Sequence, residues 1–173
     1  MSADPENTRR AIDVLMEDPA VETYYRVKRS LQEAFWNRVQ SSYGSRRDEL
    51  LAAFDAADRM GPGSVSYDEK QPPPDYARVE IHLQPGGYCL EPLAGMLYDY
   101  GLKTFMGGAA DHDFVAMMGA RAATVPADGT VHRVLDLGCS AGATTTALKK
   151  LHLQAEVHGI DLSTPMVRYA HLR

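Results

Sequence analysis

The feature that most restricts the fold lies late in the chain, where Val134-Leu135-Asp136-Leu137 runs directly into Gly138-Cys139-Ser140-Ala141-Gly142. Three large apolar side chains in four positions read as a short buried strand, and the glycines end it abruptly. A helical pattern follows from about Ala143 to Leu151, with Leu148 and Leu151 on its inner face. Ala155 to Ile160 reads as a second strand ending in Asp161, and Thr164-Pro165 opens a further helix. Strand, glycine loop, helix, strand and acid make one βαβ unit of a parallel, doubly wound sheet.

That unit carries a specific chemistry. A glycine-rich turn between a strand and its helix lets a ligand approach the backbone, where a side chain at Gly138 or Gly142 would fill the space or forbid the turn. An acid at the end of the next strand accepts hydrogen bonds from ribose hydroxyls, and Asp161 lies 19 residues after Gly142, near the spacing of about 20 for that contact. These parts point to an adenosine-containing cofactor. The dinucleotide fingerprint needs three glycines as Gly-x-Gly-x-x-Gly, whereas this loop has two, four positions apart. Asp136, two residues before the first glycine, suits an ammonium group and not a pyrophosphate.

The stretch 134–142 resembles motif I of the class I S-adenosylmethionine-dependent methyltransferases, and Val157-His158-Gly159-Ile160-Asp161-Leu162-Ser163 is similar to their following acidic motif. The resemblance covers about residues 131–173, a quarter of the chain. It departs at Ser140, where the commonest family residue is glycine. It implies a Rossmann-like α/β fold with S-adenosyl-L-methionine as cofactor. Asp136, Gly138, Cys139, Ser140 and Gly142 would surround the methionine part, Asp161 would hold the ribose, and Leu162 and Met166 would lie near adenine. The implied reaction is methyl transfer. The alternatives are an NAD(P)-dependent oxidoreductase, disfavoured by the missing glycine and by Asp136, and a non-catalytic methyltransferase-like binding protein.

The preceding part reads as mainly helical. A short helix is expected around Ile12, Leu15 and Met16, then one starting at Asp18-Pro19 with Tyr24, Val27, Leu31, Phe35 and Val39 in one apolar stripe. Ser45 with Asp48 resembles a third helix start, with Leu50, Leu51, Phe54, Ala57 and Met60 as the buried face and Gly61 as its stop. Residues 61–74 are rich in glycine and proline and predict an irregular connector. Val79, Ile81 and Leu83 alternate with Glu80 and His82 as in a half-buried strand, closed by a turn at Gln84-Pro85-Gly86-Gly87. Helices are expected over Leu93–Tyr100 and Asp113–Ala123, the second with Phe114, Val115, Met117 and Met118 as its apolar content and Asp111 or Asp113 as cap.

The domain reading is a helical, substrate-side extension over 1–130 and the start of the cofactor domain over 131–173. Two strands are too few for the seven-stranded sheet that the resemblance implies. The expectation is therefore an incomplete domain, truncated after its second strand, and a chain without turnover by itself. Catalytic residues are not legible; the weak candidates are His82, beside the Gln84–Gly87 turn, and Tyr98 and Tyr100, which would close over the cofactor.

Composition narrows the partners. The net charge of -5 argues against a binder of nucleic-acid phosphates or of anionic membranes. No secretory segment and no apolar run of membrane-spanning length is visible. The two cysteines, Cys89 and Cys139, are far apart, and Cys139 lies in the glycine loop, which favours a reduced, cytoplasmic setting. Asp111-His112-Asp113 reads as a helix cap and not as a metal site, since adjacent residues on one segment rarely converge on an ion. The expected partner is a small-molecule methyl acceptor, with no metal.

Overall fold

The computed structural model describes residues 4–68, 70–105 and 112–173, in two compact units, Met1–Ser42 and Tyr43–Arg173. The expected boundary at 130/131 falls inside the second unit. The Asp111 reading, and with it the proposed cap at that position, lies outside the described residues. Among those residues, no helix is long and apolar enough to cross a membrane.

The first unit is two helices, α1 (Pro5–Met16) and the greater part of α2 (Pro19–Gly44). Both begin where local capping chemistry puts them. Asp4 accepts the Glu6 N–H at 3.0 Å, and Asp18 accepts the Ala20 N–H at 2.8 Å, with proline next in each case. The expected stripe is buried only toward its C-terminal end, where Phe35 is half-buried and Val39 buried. Tyr24, Val27 and Leu31 are exposed, and α1 buries no residue at all.

In the second unit α3 (Arg47–Ala57), α4 (Ala94–Phe105) and α7 (Thr164–Leu172) meet around Phe54, Leu93, Ala94, Leu97 and Met166. α3 has Arg46, not Ser45, at its N-cap position and Asp58 at its C-cap, three residues before Gly61. Phe54 and Ala57 are its buried positions, while Met60 is exposed. α4 comes very close to α7: a Cβ at Gly95 would lie 2.4 Å from the Tyr169 Cβ. Arg168 on α7 joins Asp55 at 2.6 Å and Asp58 at 2.7 Å, with its guanidinium over the rings of Phe54 and Tyr67.

The βαβ unit forms as expected. β1 (Arg133–Leu137) and β2 (Glu156–Ile160) are parallel, pairing Val134 with Val157 and Leu137 with Ile160, with α6 (Ala143–Leu151) as the crossover. α5 (His112–Ala122) packs on α6, but through Ala116 and Ala120 against Ala143, Ala147 and Leu148, with Val134 and Val157 beneath. Of the expected apolar content, Met117 packs partly buried against this cluster, whereas Phe114, Val115 and Met118 are exposed. The opposite face of the sheet is open, with Leu135 59%, Leu137 71% and Ile160 52% exposed.

The alternation at Val79–Leu83 does not give a strand. The segment forms 3₁₀ turns at Asp75–Ala77 and Ile81–Leu83, with φ of 55° at His82 and 56° at Leu83. Its backbone bonds are local, Leu83 N–H to the Glu80 carbonyl at 3.0 Å and Gln84 N–H to the Ile81 carbonyl at 3.1 Å. A strand needs a neighbouring edge to take up its backbone groups, and this segment instead closes them on itself over three residues. The following turn is present, Gly87 N–H donating to the Gln84 carbonyl at 2.8 Å.

Candidate functional site

The carboxyl ends of β1 and β2 bring the glycine loop and Asp161 together. The N–H groups of Gly138 and Cys139 both donate to the Ile160 carbonyl, at 2.8 and 3.0 Å, which draws the loop across the end of β2. Three of its residues adopt left-handed backbone, Gly138 (φ 74°), Ser140 (φ 49°) and Gly142 (φ 76°). Such a conformation disfavours any residue with a Cβ, and at Ser140 it is held from outside. The Asp161 Oδ2 accepts the Ser140 N–H at 2.9 Å, while Oδ1 accepts the Ser163 N–H at 2.9 Å. One carboxylate thus ties the loop to the start of α7.

The two glycines have different reasons to be there. A Cβ at Gly142 would lie 2.7 Å from the Ala170 Cβ, so this position is small because α7 packs against it. A Cβ at Gly138 would have no atom within 4 Å. The space beside Gly138 is open, and a ligand can reach the backbone there.

Asp136 turns toward α6 and accepts the Thr145 hydroxyl proton at 2.6 Å. Cys139 is buried under the loop, and desolvation, then the neighbouring Asp161 and Asp136, push its thiol up to about 11. It is a neutral packing group at ordinary pH and no nucleophile. Leu162 is 52% exposed next to Asp161, whereas Met166 is buried, its sulfur 3.9 Å from the Ser140 hydroxyl oxygen. Of the residues expected near a nucleobase, Leu162 therefore offers surface and Met166 supports the loop from behind. A cavity of ≈ 740 Å³ runs between residues 62–68 and 71–74 of the connector and β2, and reaches Gly142, Asp161 and Leu162.

The weak catalytic candidates do not converge. His82 is exposed on its 3₁₀ turn. Tyr100 is exposed and packs near Tyr43, with ring centroids 6.0 Å apart. Tyr98 stands edge-on to Tyr88 at 5.3 Å. Tyr88 in turn comes to the site through its backbone, its carbonyl accepting the Ser163 hydroxyl proton. Burial, and then Tyr98, push the Tyr88 hydroxyl up to about 12. Among the described residues no three His, Cys, Asp or Glu side chains gather as metal ligands.

Ser163, Tyr88 and Thr145 are site residues that sequence reasoning passed over. Ser163 had a legible signal, since a serine before Thr164-Pro165 is a helix cap, and it does accept the Met166 N–H at 3.2 Å. Tyr88 had none, because its contact spans 75 positions.

Residues 134–173 match a family model described as a methyltransferase domain. No curated protein and no solved structure matches the chain.

Proposed function

We infer, from a chain whose residues 134–173 match a methyltransferase-domain family model, that it is a class I methyltransferase that binds S-adenosyl-L-methionine across the loop 138–142 and passes its methyl group to a small-molecule acceptor. The observation that carries this reading is the convergence of Asp161 and the loop at one carboxyl edge, joined through the Ser140 N–H at 2.9 Å. The residues present fit the cofactor. Gly138 leaves an open approach to the backbone. Each Asp161 oxygen accepts one backbone N–H, and since a carboxylate offers about four lone-pair sites, two remain for ribose hydroxyls. Leu162 presents apolar surface beside them.

Bound there, S-adenosyl-L-methionine supplies an electrophilic methyl carbon on a sulfonium. The protein's own part is positioning and exclusion of water. Asp161 orients the ribose, the left-handed loop keeps side chains out of the ligand's way, and Asp136, held by Thr145, keeps a negative charge near the methionine end. The net charge of -5 supports a small acceptor over a nucleic acid. None of the described side chains stands as a general base, and the reading assigns none.

Isothermal titration of the 173-residue chain with S-adenosyl-L-methionine and, separately, with NAD tests the assignment. Saturable binding of the first and none of the second is expected. Binding of NAD alone would replace this reading with the oxidoreductase one.

A further inference from the structure

Ser163 does more at its position than a helix cap requires. It is 2% exposed. Its N–H donates to Asp161 Oδ1 at 2.9 Å, and its hydroxyl oxygen accepts the Met166 N–H at 3.2 Å. A cap needs only an accepting oxygen. The hydroxyl proton is left over, and it goes to the carbonyl of Tyr88, in a different part of the chain.

The segment reached in this way is built to be held at two ends. Gln84 is 1% exposed, and its amide donates to the carbonyls of Gly87 and Ala94, both at 3.1 Å. Leu90 N–H closes a turn on the Gly86 carbonyl at 3.0 Å. Between these points lies Tyr88, whose ring meets Tyr98 edge-on. The bond from Ser163 is what fixes the far side of this turn to the βαβ unit.

Resting on the cofactor reading above, we propose that Ser163 is a positioning residue that couples occupancy of Asp161 to the order of residues 86–90. The linkage is physical and short. A carboxylate that accepts further hydrogen bonds from ribose hydroxyls is confined more tightly in orientation. The Ser163 backbone is bonded to that carboxylate, and the Ser163 hydroxyl is bonded to Tyr88. Ligand and segment therefore share one chain of donors and acceptors, Ser140 to Asp161 and Asp161 through Ser163 to Tyr88.

The test is amide hydrogen exchange, read by mass spectrometry on the 173-residue chain with and without S-adenosyl-L-methionine, in wild type, Ser163→Gly and Ser163→Thr. Glycine is a tolerated cap but has no hydroxyl, whereas threonine keeps both the cap and the donor. Without ligand, the 86–90 amides should exchange about tenfold faster in Ser163→Gly, the factor for one hydrogen bond of ordinary net strength, and Ser163→Thr should restore the slow rate. With ligand, wild type should gain protection at both 138–142 and 86–90, and Ser163→Gly at 138–142 alone. Equal exchange of 86–90 in wild type and Ser163→Gly overturns the proposal. Ligand protection of 138–142 in wild type that never extends to 86–90 overturns the coupling and leaves the cofactor reading standing. No ligand protection at either segment overturns both.

Discussion

Ser140 holds a left-handed backbone conformation, φ 49°, with its N–H donated to the Asp161 carboxylate at 2.9 Å. Asp161 is therefore part of the loop's own structure as well as a candidate ligand group, and the two roles can be separated by mutation.

Asp161→Ala should weaken S-adenosyl-L-methionine binding by about 1–3 kcal/mol, the scale for leaving polar partners unsatisfied. Asp161→Asn keeps shape but has a single acceptor oxygen, so it cannot take both the Ser140 and the Ser163 N–H. It should lower stability as well as affinity. Calorimetric titration with a parallel urea melt checks both, and an Asn variant matching wild type in each would remove Asp161 from loop and site alike.

Gly138→Ala and Gly142→Ala should fail in different ways. Both put a Cβ on a left-handed backbone, at about 1–2 kcal/mol. At Gly142 the new atom also meets Ala170 at 2.7 Å, so overpacking adds to the strain and the total loss should reach about 2–4 kcal/mol. At Gly138 it meets nothing, so the fold should survive with ligand binding impaired. Thermal melts beside equilibrium dialysis distinguish them; similar melting temperatures for the two variants would mean that the loop and α7 do not pack as described.

Stability should fall in acid partly through Asp99. This carboxyl is 4% exposed. Burial would raise its pKa, but hydrogen bonds from Lys103 at 2.7 Å and from the Tyr169 hydroxyl at 2.9 Å outweigh burial and hold it below the usual carboxylate range. A pKa depressed in the folded state contributes stability above the unfolded value of about 3.9, lost as pH falls through the folded value. Below about pH 4, urea-derived stability should drop less steeply in Asp99→Asn than in wild type. Parallel curves would show that Asp99 does not carry the acid sensitivity.

The open face of the sheet predicts association. Leu135 and Leu137 lie on one face of β1, and Ile160 pairs with Leu137 on the same side, all more than half exposed. Large exposed apolar patches on a soluble chain favour contact with other molecules. Sedimentation velocity should show concentration-dependent species for the 173-residue chain, diminished in Leu137→Glu. A monomer at all concentrations would mean that this face is covered in solution.

Much of the βαβ unit was legible, and for a local reason. β1, α6, β2 and the start of α7 fall where the pattern predicts or within one residue of it. Each is specified by neighbours in sequence: a short apolar run, a glycine turn, a capping serine before Thr164-Pro165. The placement of Asp161 at the loop follows from the same connectivity, because a parallel crossover returns the second strand beside the first.

Elsewhere the same local signals misled. Val79–Leu83 has the alternation of a strand but closes its backbone bonds locally, and forms a 3₁₀ turn at Ile81–Leu83. α5 carries Phe114, Val115 and Met118 on its exposed side, yet packs through Ala116, Met117 and Ala120. Gly95 is set by the approach of α7, and Ser163 reaches Tyr88 across 75 positions. The amino-acid sequence by itself determined the elements of the βαβ unit, the helix start at Asp18-Pro19 and the glycine turn between β1 and α6, whose energies depend on residues a few places apart. Which faces are buried, which glycines make room for a helix and which for a ligand, and which side chains join Asp161 were decided by tertiary structure. Those choices depend on distances between segments that no periodicity along the chain records.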